Sequence, residues 1–439
     1  MTTSDRKPRL PFAAVITVQV ILVASIGLAF ALSPAEQRRN VQRLVTATDV
    51  LATPAPPRTE PLTVEPLYDR PDFISDEDLA AVLQQVLPRF PRAELKPNFV
   101  EHAVRIWGVN AEFDDPEVLN GAELRDFLTD HARFSTSWAQ ANVKPLLDVR
   151  QSGIAIHYGA DPGASVHHDH WLASLTEAGI RLDAPVFGPG RHNATIADVL
   201  SEALRDFRLD EAETEWTAMA FGLWLPPTSH WTGRGGREYS FDLLVERLVR
   251  GERTQGVCAG THRVYSLALL LRIDDEFDIL SDEARTIARD YLEEVRDAIT
   301  ASQFPDGHWP SNWPAGAAAV EDPVEDEQYQ QVIATGHHLE WLAIAPRELH
   351  PPDEQIGCAA RWVIDVTVDQ TPAEILERYT FFSHVGNALA LWRNTHPAEF
   401  WTRWAADHPV EEPPANDDGV PAADDTLSDA GDDRQETLE

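Results

Sequence analysis

The chain has 439 residues, 43% of them hydrophobic and 25% charged, a composition that excludes a wholly disordered or collagen-like protein. Asp and Glu total 72 against 36 Lys and Arg, a formal charge of −36. A field of that sign repels phosphate backbones and disfavours nucleic-acid binding.

Lysine is confined to Lys7, Lys96 and Lys144, a scarcity that codon bias or adaptation to high salt would both produce. Two cysteines, Cys258 and Cys358, are too few for a disulfide-dense secreted scaffold. One bridge and two buried thiols both remain open.

Arg6, Lys7 and Arg9 precede an uncharged run from Leu10 to Leu32. As a helix this run is roughly 34 Å long, enough to span a bilayer with some tilt. A cleaved signal peptide would use Ala29-Phe30-Ala31, but the run exceeds the usual apolar core of roughly 7–15 residues, which favours an uncleaved anchor. Arg38, Arg39 and Arg43 follow it, so flanking charge does not set the orientation. A short basic N-terminus puts the large domain outside the cytoplasm, giving a single-pass membrane protein. The segment 33–74 reads as a helical extension over 35–51, then a stiff, extended, Pro-rich linker over 52–73.

The folded part is expected to begin near Ser75, an N-cap ahead of Asp76, Glu77 and Asp78, and to end near Asp407. Residues 411–439 hold eleven acids and one Arg, so 408–439 is expected to form an acidic tail that does not pack. Between them the period is helical. The pattern predicts helices over 76–88, 98–107, 117–130, 167–178, 196–207, 212–224, 240–250, 258–271, 282–302, 329–344, 354–368 and 384–393. The best strand candidate is Gly153–Tyr158. The fold class is therefore all-α, divided into an N-terminal helical part (75–194) and a core (195–407).

Three helix starts align without gaps: Thr261-His262 leading to Leu267-Ala268-Leu269, Gly336-His337 leading to Leu342-Ala343-Ile344, and Ser383-His384 leading to Leu389-Ala390-Leu391. Each opens a very apolar helix, while the charge-rich helix 282–302 lies between copies. Apolar helices alternating with amphipathic ones suggest an inner ring wrapped by an outer ring. A looser fourth copy at 212–224 puts Thr214 where the histidine would be. The turn Gln303-Phe304-Pro305-Asp306-Gly307-His308-Trp309 supplies a further motif.

Together these features resemble the α/α toroid of the terpenoid cyclase and protein prenyltransferase superfamily, whose Gln-x-x-Asp-Gly-x-Trp turn is similar to residues 303–309. The resemblance covers roughly 195–395, a stretch also similar to uncharacterised bacterial toroid-like proteins. It implies paired inner and outer helices around a central cavity. The Asp-x-Asp-Asp acid of squalene-type cyclases and the Asp-x-Cys zinc pair of prenyltransferases are absent here, so those chemistries are not implied.

On this reading His262, His337 and His384 start at one rim of the toroid. Cys258 precedes His262 by one helical turn and shares its face. Three imidazoles and a thiolate form an acceptable zinc set, beside the alternatives of metal-free catalysis or helix capping. Asp306 could act as general acid or base or simply hold its turn. Glu340, three residues after His337, could take a raised pKa or pair with an arginine. Tyr265, His308, Trp309, Trp313, Trp341 and Phe381 are candidate walls for a sugar face or prenyl chain, or plain core. Asp274-Asp275-Glu276-Phe277-Asp278 matches an Asp-Asp-x-x-Asp metal motif but reads as a solvated loop. His167-His168-Asp169-His170 could offer at most two ligands to one ion. The expectation is a toroid hydrolase, lyase or cyclase with a His-lined cavity for a small molecule or glycan. The rival is a non-catalytic scaffold binding glycan, lipid or protein.

Overall fold

The computed structural model describes residues 12–33, 38, 58–139, 142–251 and 258–409, with side chains from Ile16 onward in the first helix. The basic N-terminus, the extension over 35–51 apart from the backbone of residue 38, the linker up to Pro57 and nearly all of the acidic tail lie outside the described residues. Phe12–Leu32 is one uninterrupted helix, and its described side chains are almost all exposed. Among the described residues no helix is long and apolar enough to cross a membrane, so the span expected at 10–32 is not established.

The rest of the described residues are mostly helical, with three small antiparallel hairpins among them. One of them contains Ile154–Ile156, within the strand candidate Gly153–Tyr158. Six helices occupy the centre: α1 (Pro97–Trp107), α2 (His170–Glu177), α3 (Glu215–Trp224), α4 (Thr261–Phe277), α5 (Gln328–Ile344) and α6 (Tyr379–Trp392). Each packs on the next in this order, and α6 packs on α1.

Burial explains the placement. All residues of α3 are buried, and in α5 burial is unbroken from Ala334 to Ile344. A helix apolar around its whole circumference is stable only when enclosed on all sides. Asp282–Ser302 buries only Ala284, Ala288, Tyr291, Leu292, Val295, Ile299 and Ser302, one stripe at helical spacing, and it packs outside α4. Gly121–Thr129 packs on α1, Phe241–Val249 on α3 and α4, and Asp353–Val368 on α5 and α6. The sequence boundary at 194/195 is not a structural one, because α1 and α2 come from the part before it.

The folded part also begins earlier than Ser75. Residues 58–74 cross the C-terminal ends of the central helices. Leu62 N donates to Leu223 O (2.9 Å), Leu67 N to Ala343 O (3.1 Å) and Arg70 N to Trp392 O (2.8 Å). Helix C-termini leave carbonyls without intrahelical partners, and an extended segment can supply the missing donors. Ser75 does cap its helix, accepting from Asp78 N in a capping box.

Glycine sets the closest crossing. A Cβ on Gly336 of α5 would stand 3.1 Å from Val385 Cγ2, and one on Gly386 of α6 would stand 2.9 Å from Ile106 Cδ1. Both glycines lie within two residues of a predicted site histidine, so the close approach there is written into the sequence beside the site.

Candidate functional site

The three aligned histidines sit on the consecutive central helices α4, α5 and α6. Equal offsets from their Leu-Ala pairs put them at one height. Their ring centroids are 4.7 Å apart for His262 and His337, 3.9 Å for His337 and His384, and 5.0 Å for His262 and His384. All three are buried.

Two further histidines join them. His102 of α1 lies 5.2 Å from His384 and 4.7 Å from His170 of α2. Trp216 of α3 closes the circle, 4.1 Å from His170 and 4.2 Å from His262. Each central helix thus sends one ring to the axis. The sequence held the signal: His102 and His170 precede Trp107-Gly108 and Leu175-Thr176 by the same five residues. A Leu-Ala template hides a large-small pair written as Trp-Gly or Leu-Thr. Thr214 is only the N-cap position of α3, and Trp216 takes the place expected for it.

Hydrogen bonding fixes the lone pairs. His337 Nδ1 is 2.7 Å from Ile333 O and His102 Nδ1 is 2.8 Å from Asn98 O. A carbonyl only accepts, so both Nδ1 atoms carry hydrogen and each neutral ring keeps its lone pair on Nε2. His384 Nδ1 lies 2.9 Å from Glu340 Oε2, an acceptor, and 3.1 Å from Arg105 Nη1, a donor. Nη1 already donates to Glu340 Oε1, and the shorter contact with the carboxylate favours hydrogen on Nδ1. Among the described residues His384 Nε2 is buried with no hydrogen-bond partner. His337 Nε2 and His262 Nε2 face each other at 3.1 Å.

The cluster resists protonation. Burial, and then the neighbouring imidazoles, hold His262 and His384 well below the ordinary histidine range. Burial holds His102 and His170 there too, reinforced by nearby histidines. Burial takes His337 down to about 4, against the pull of Glu340. Glu101 of α1 is driven the other way, pushed up to about 8 by burial. It is then mainly a neutral acid near pH 7, its Oε2 2.6 Å from His170 Nδ1.

A charged frame adjoins the rings. Arg105 donates from Nη1 to Glu340 Oε1 (2.8 Å) and from Nε to Glu177 Oε2 (2.5 Å). Tyr265 OH donates to Glu177 Oε1 (2.8 Å), and Asn387 Nδ2 to Glu340 Oε1 (2.6 Å). So Glu340 pairs with an arginine, one of the two roles open to it, and Tyr265 meets the frame rather than the imidazoles. Arg105, Glu177, Tyr265 and Asn387 line a cavity of about 190 Å³ closed on another side by Glu60–Val64.

Among the described residues Cys258, His262 and His337 form the one group of metal-ligand side chains with donor atoms all within 4.8 Å of one another. His384, expected as a fourth member, is outside that group. Cys258 and Cys358 are both free. Burial pushes the Cys258 thiol up to about 12.

The remaining candidates lie elsewhere. Asp306 is exposed and accepts from His308 Nδ1 at 2.7 Å, while His308 stacks on Phe304. Gln303 Nε2 donates to Gly307 O (2.9 Å) and Gln355 O (2.7 Å), so this turn is a staple between outer elements. Trp309 and Trp313 pack around His338, and Trp341 Nε1 donates to His338 Nδ1 (3.0 Å). They occupy a core contact of α5 apart from the imidazole circle, not a cavity wall. Phe381 stacks on Tyr329.

Asp274 is not in a loop: α4 continues to Phe277. Its carboxylate accepts from Leu280 N (2.7 Å) and from Arg285 Nε (2.5 Å), tying α4 to the next helix. In 167–170 the histidines diverge, His167 to Glu213, His168 to Glu211 and His170 to Glu101. No family model, curated protein or solved structure matches the chain, so the toroid resemblance rests on its own motifs.

Proposed function

We propose that this protein is a membrane-tethered α/α toroid enzyme, a hydrolase or lyase, whose reacting centre is the imidazole cluster on the ring axis. The closed circuit of six apolar helices with outer partners supports the toroid reading. The observation that carries the catalytic reading is His384. Its Nδ1 is held by the Glu340 carboxylate, its Nε2 has no hydrogen-bond partner among the described residues, and it lies against His337. A neutral imidazole oriented by a carboxylate is the usual form of a general base. The small cavity beside the cluster is lined by Arg105, Glu177, Tyr265 and Asn387 together with Leu62, Leu223, Leu269 and Leu391, and by none of the six rings. It suits a small substrate with polar and apolar parts, which would have to pass the Arg105 frame to reach His384. A prenyl cyclase would need an apolar aromatic chamber, and Trp309, Trp313 and Trp341 are spent on core packing instead.

The tether reading rests on the uncharged run at 10–32 and on the exposed side chains of the Phe12–Leu32 helix, with the toroid outside the cytoplasm. It is tested by fractionation: detergent rather than salt should release the protein from membranes.

The catalytic reading is tested by mass-spectrometric screening of the full chain against pooled esters, amides, phosphate esters and oligosaccharides. Turnover should be lost in His384→Gln with the helical circular dichroism unchanged. Turnover that survives this change would overturn His384 as the base, and none in any pool while a ligand binds would favour the non-catalytic scaffold.

A further inference from the structure

We infer that Cys258, His262 and His337 hold one zinc ion, with a fourth coordination position left open beside His384. Zinc bound tetrahedrally through bonds of roughly 2.0–2.1 Å sets two imidazole nitrogens about 3.3 Å apart. His262 Nε2 and His337 Nε2 stand 3.1 Å apart, the spacing of two ligands on one ion. His337 is oriented for this by its own Nδ1–H on Ile333 O, the outer hydrogen bond that fixes the tautomer of metal-binding histidines.

A direct hydrogen bond between the two rings would also satisfy that spacing. The thiol separates the two cases, because a pair of imidazoles sharing a proton needs no third donor. Cys258, Ala259 and Gly260 all take left-handed backbone, at φ 51°, 56° and 80°. For the two residues with a Cβ this costs roughly 1–2 kcal/mol each. Thr261 Oγ1 clamps the hook by donating to Cys258 O (2.8 Å). The strained turn holds the sulfur within 4.8 Å of a ring nitrogen of each histidine before any ion draws the three together. Thiolate with two imidazoles suits zinc, whereas magnesium and calcium take oxygen ligands.

Three protein ligands leave one position for water or substrate, as in catalytic zinc sites. His384 is outside the mutually close set yet packs against His337, with its Nε2 unpartnered among the described residues, so it borders that position without filling it. The ion itself is independent of the catalytic reading; only the open position rests on it.

The test uses the full chain in detergent, stripped with a chelator and reloaded with zinc or cobalt(II). Elemental analysis should find one ion per chain. The cobalt form should show tetrahedral visible bands and a thiolate charge-transfer band. Cys258→Ser should abolish the charge-transfer band and weaken zinc binding about a hundredfold, while Cys358→Ser changes neither. Absence of bound ion in the reloaded wild type overturns the site. A charge-transfer band that survives Cys258→Ser, or is lost in Cys358→Ser, overturns it too. Circular dichroism of the Cys258→Ser protein, a near-isosteric change, separates ligand loss from unfolding. Added azide should shift the visible bands. Unshifted bands would overturn the open position, and with it this support for catalysis, while leaving the ion in place.

Discussion

His384 Nδ1 and Glu340 Oε2 lie 2.9 Å apart with both side chains 1% exposed. The same carboxylate accepts from Arg105 and Asn387, so one residue orients the ring and neutralises a buried cation. Removing it leaves Arg105 paired with Glu177 alone and takes the acceptor from His384 and Asn387, so the cost falls toward the lower end of the about 3–5 kcal/mol of a fully stranded buried charge. Glu340→Ala is expected to lose stability of that order in chemical denaturation. Glu340→Gln should lose less, since the amide oxygen can still accept while its NH2 has no acceptor in His384 Nδ1–H.

Acid should destabilise the chelator-treated protein well before ordinary carboxylates titrate. Buried His337 is held down to about 4, whereas an unfolded histidine titrates near 6.5. The unfolded chain therefore binds protons that the folded one refuses. This stabilisation is complete above about pH 6.5 and lost as pH falls toward 4, worth about 3 kcal/mol for His337 alone. Glu101, raised to about 8, has the opposite sign, its stabilisation being lost as pH rises from the ordinary carboxylate range to 8. His102, His170, His262 and His384 all act with His337, so the histidines dominate. Melting temperature measured against pH should fall steeply below pH 6.5; a flat profile down to pH 5 would refute buried neutral imidazoles.

Much of this was legible in the sequence, for definite physical reasons. Enclosed helices such as 329–344 are apolar all round, and amphipathic 282–302 shows a single stripe, so inner and outer positions follow from pattern. The convergence of His262, His337 and His384 followed from equal offsets. His102 and His170 escaped because their helices substitute Trp-Gly and Leu-Thr for Leu-Ala. The docking of 58–74 escaped because Pro-rich sequence reports local stiffness, and the helix-end carbonyls that capture it belong to residues 161 to 322 positions away. The aromatic residues at 309–341 misled because Trp serves core and cavity alike, and only packing around His338 decides between them.

Asp274 is expected to be a structural residue, not a metal ligand. Its side chain is 1% exposed and joins Arg285 to the backbone of Leu280. Hydrogen bonds to a charged group contribute about 1.5–3 kcal/mol, so Asp274→Ala should lower stability by roughly that amount. Zinc and cobalt(II) binding should be untouched, and magnesium should not raise the melting temperature of the wild type. A magnesium-dependent rise lost in Asp274→Ala would return the acidic motif to the list of sites.

Gly386→Ala tests whether the close crossing at the axis is what brings the rings together. A helical Ala in place of Gly would by itself stabilise by about 1 kcal/mol. Here the new methyl would stand 2.9 Å from Ile106 Cδ1 and 3.1 Å from Val86 Cγ2, the tips of two side chains that are themselves buried. Overpacking of this kind costs about 1–3 kcal/mol, so the clash should outweigh the helix gain. Net destabilisation of about 1–2 kcal/mol is expected, read from urea denaturation. Because α6 must move away from α1, carrying His384 with it, the variant should also perturb the visible cobalt(II) bands. A stabilised variant with an unchanged spectrum would mean that the central helices have slack at this crossing, and that the spacing of His384 from its neighbours is set elsewhere.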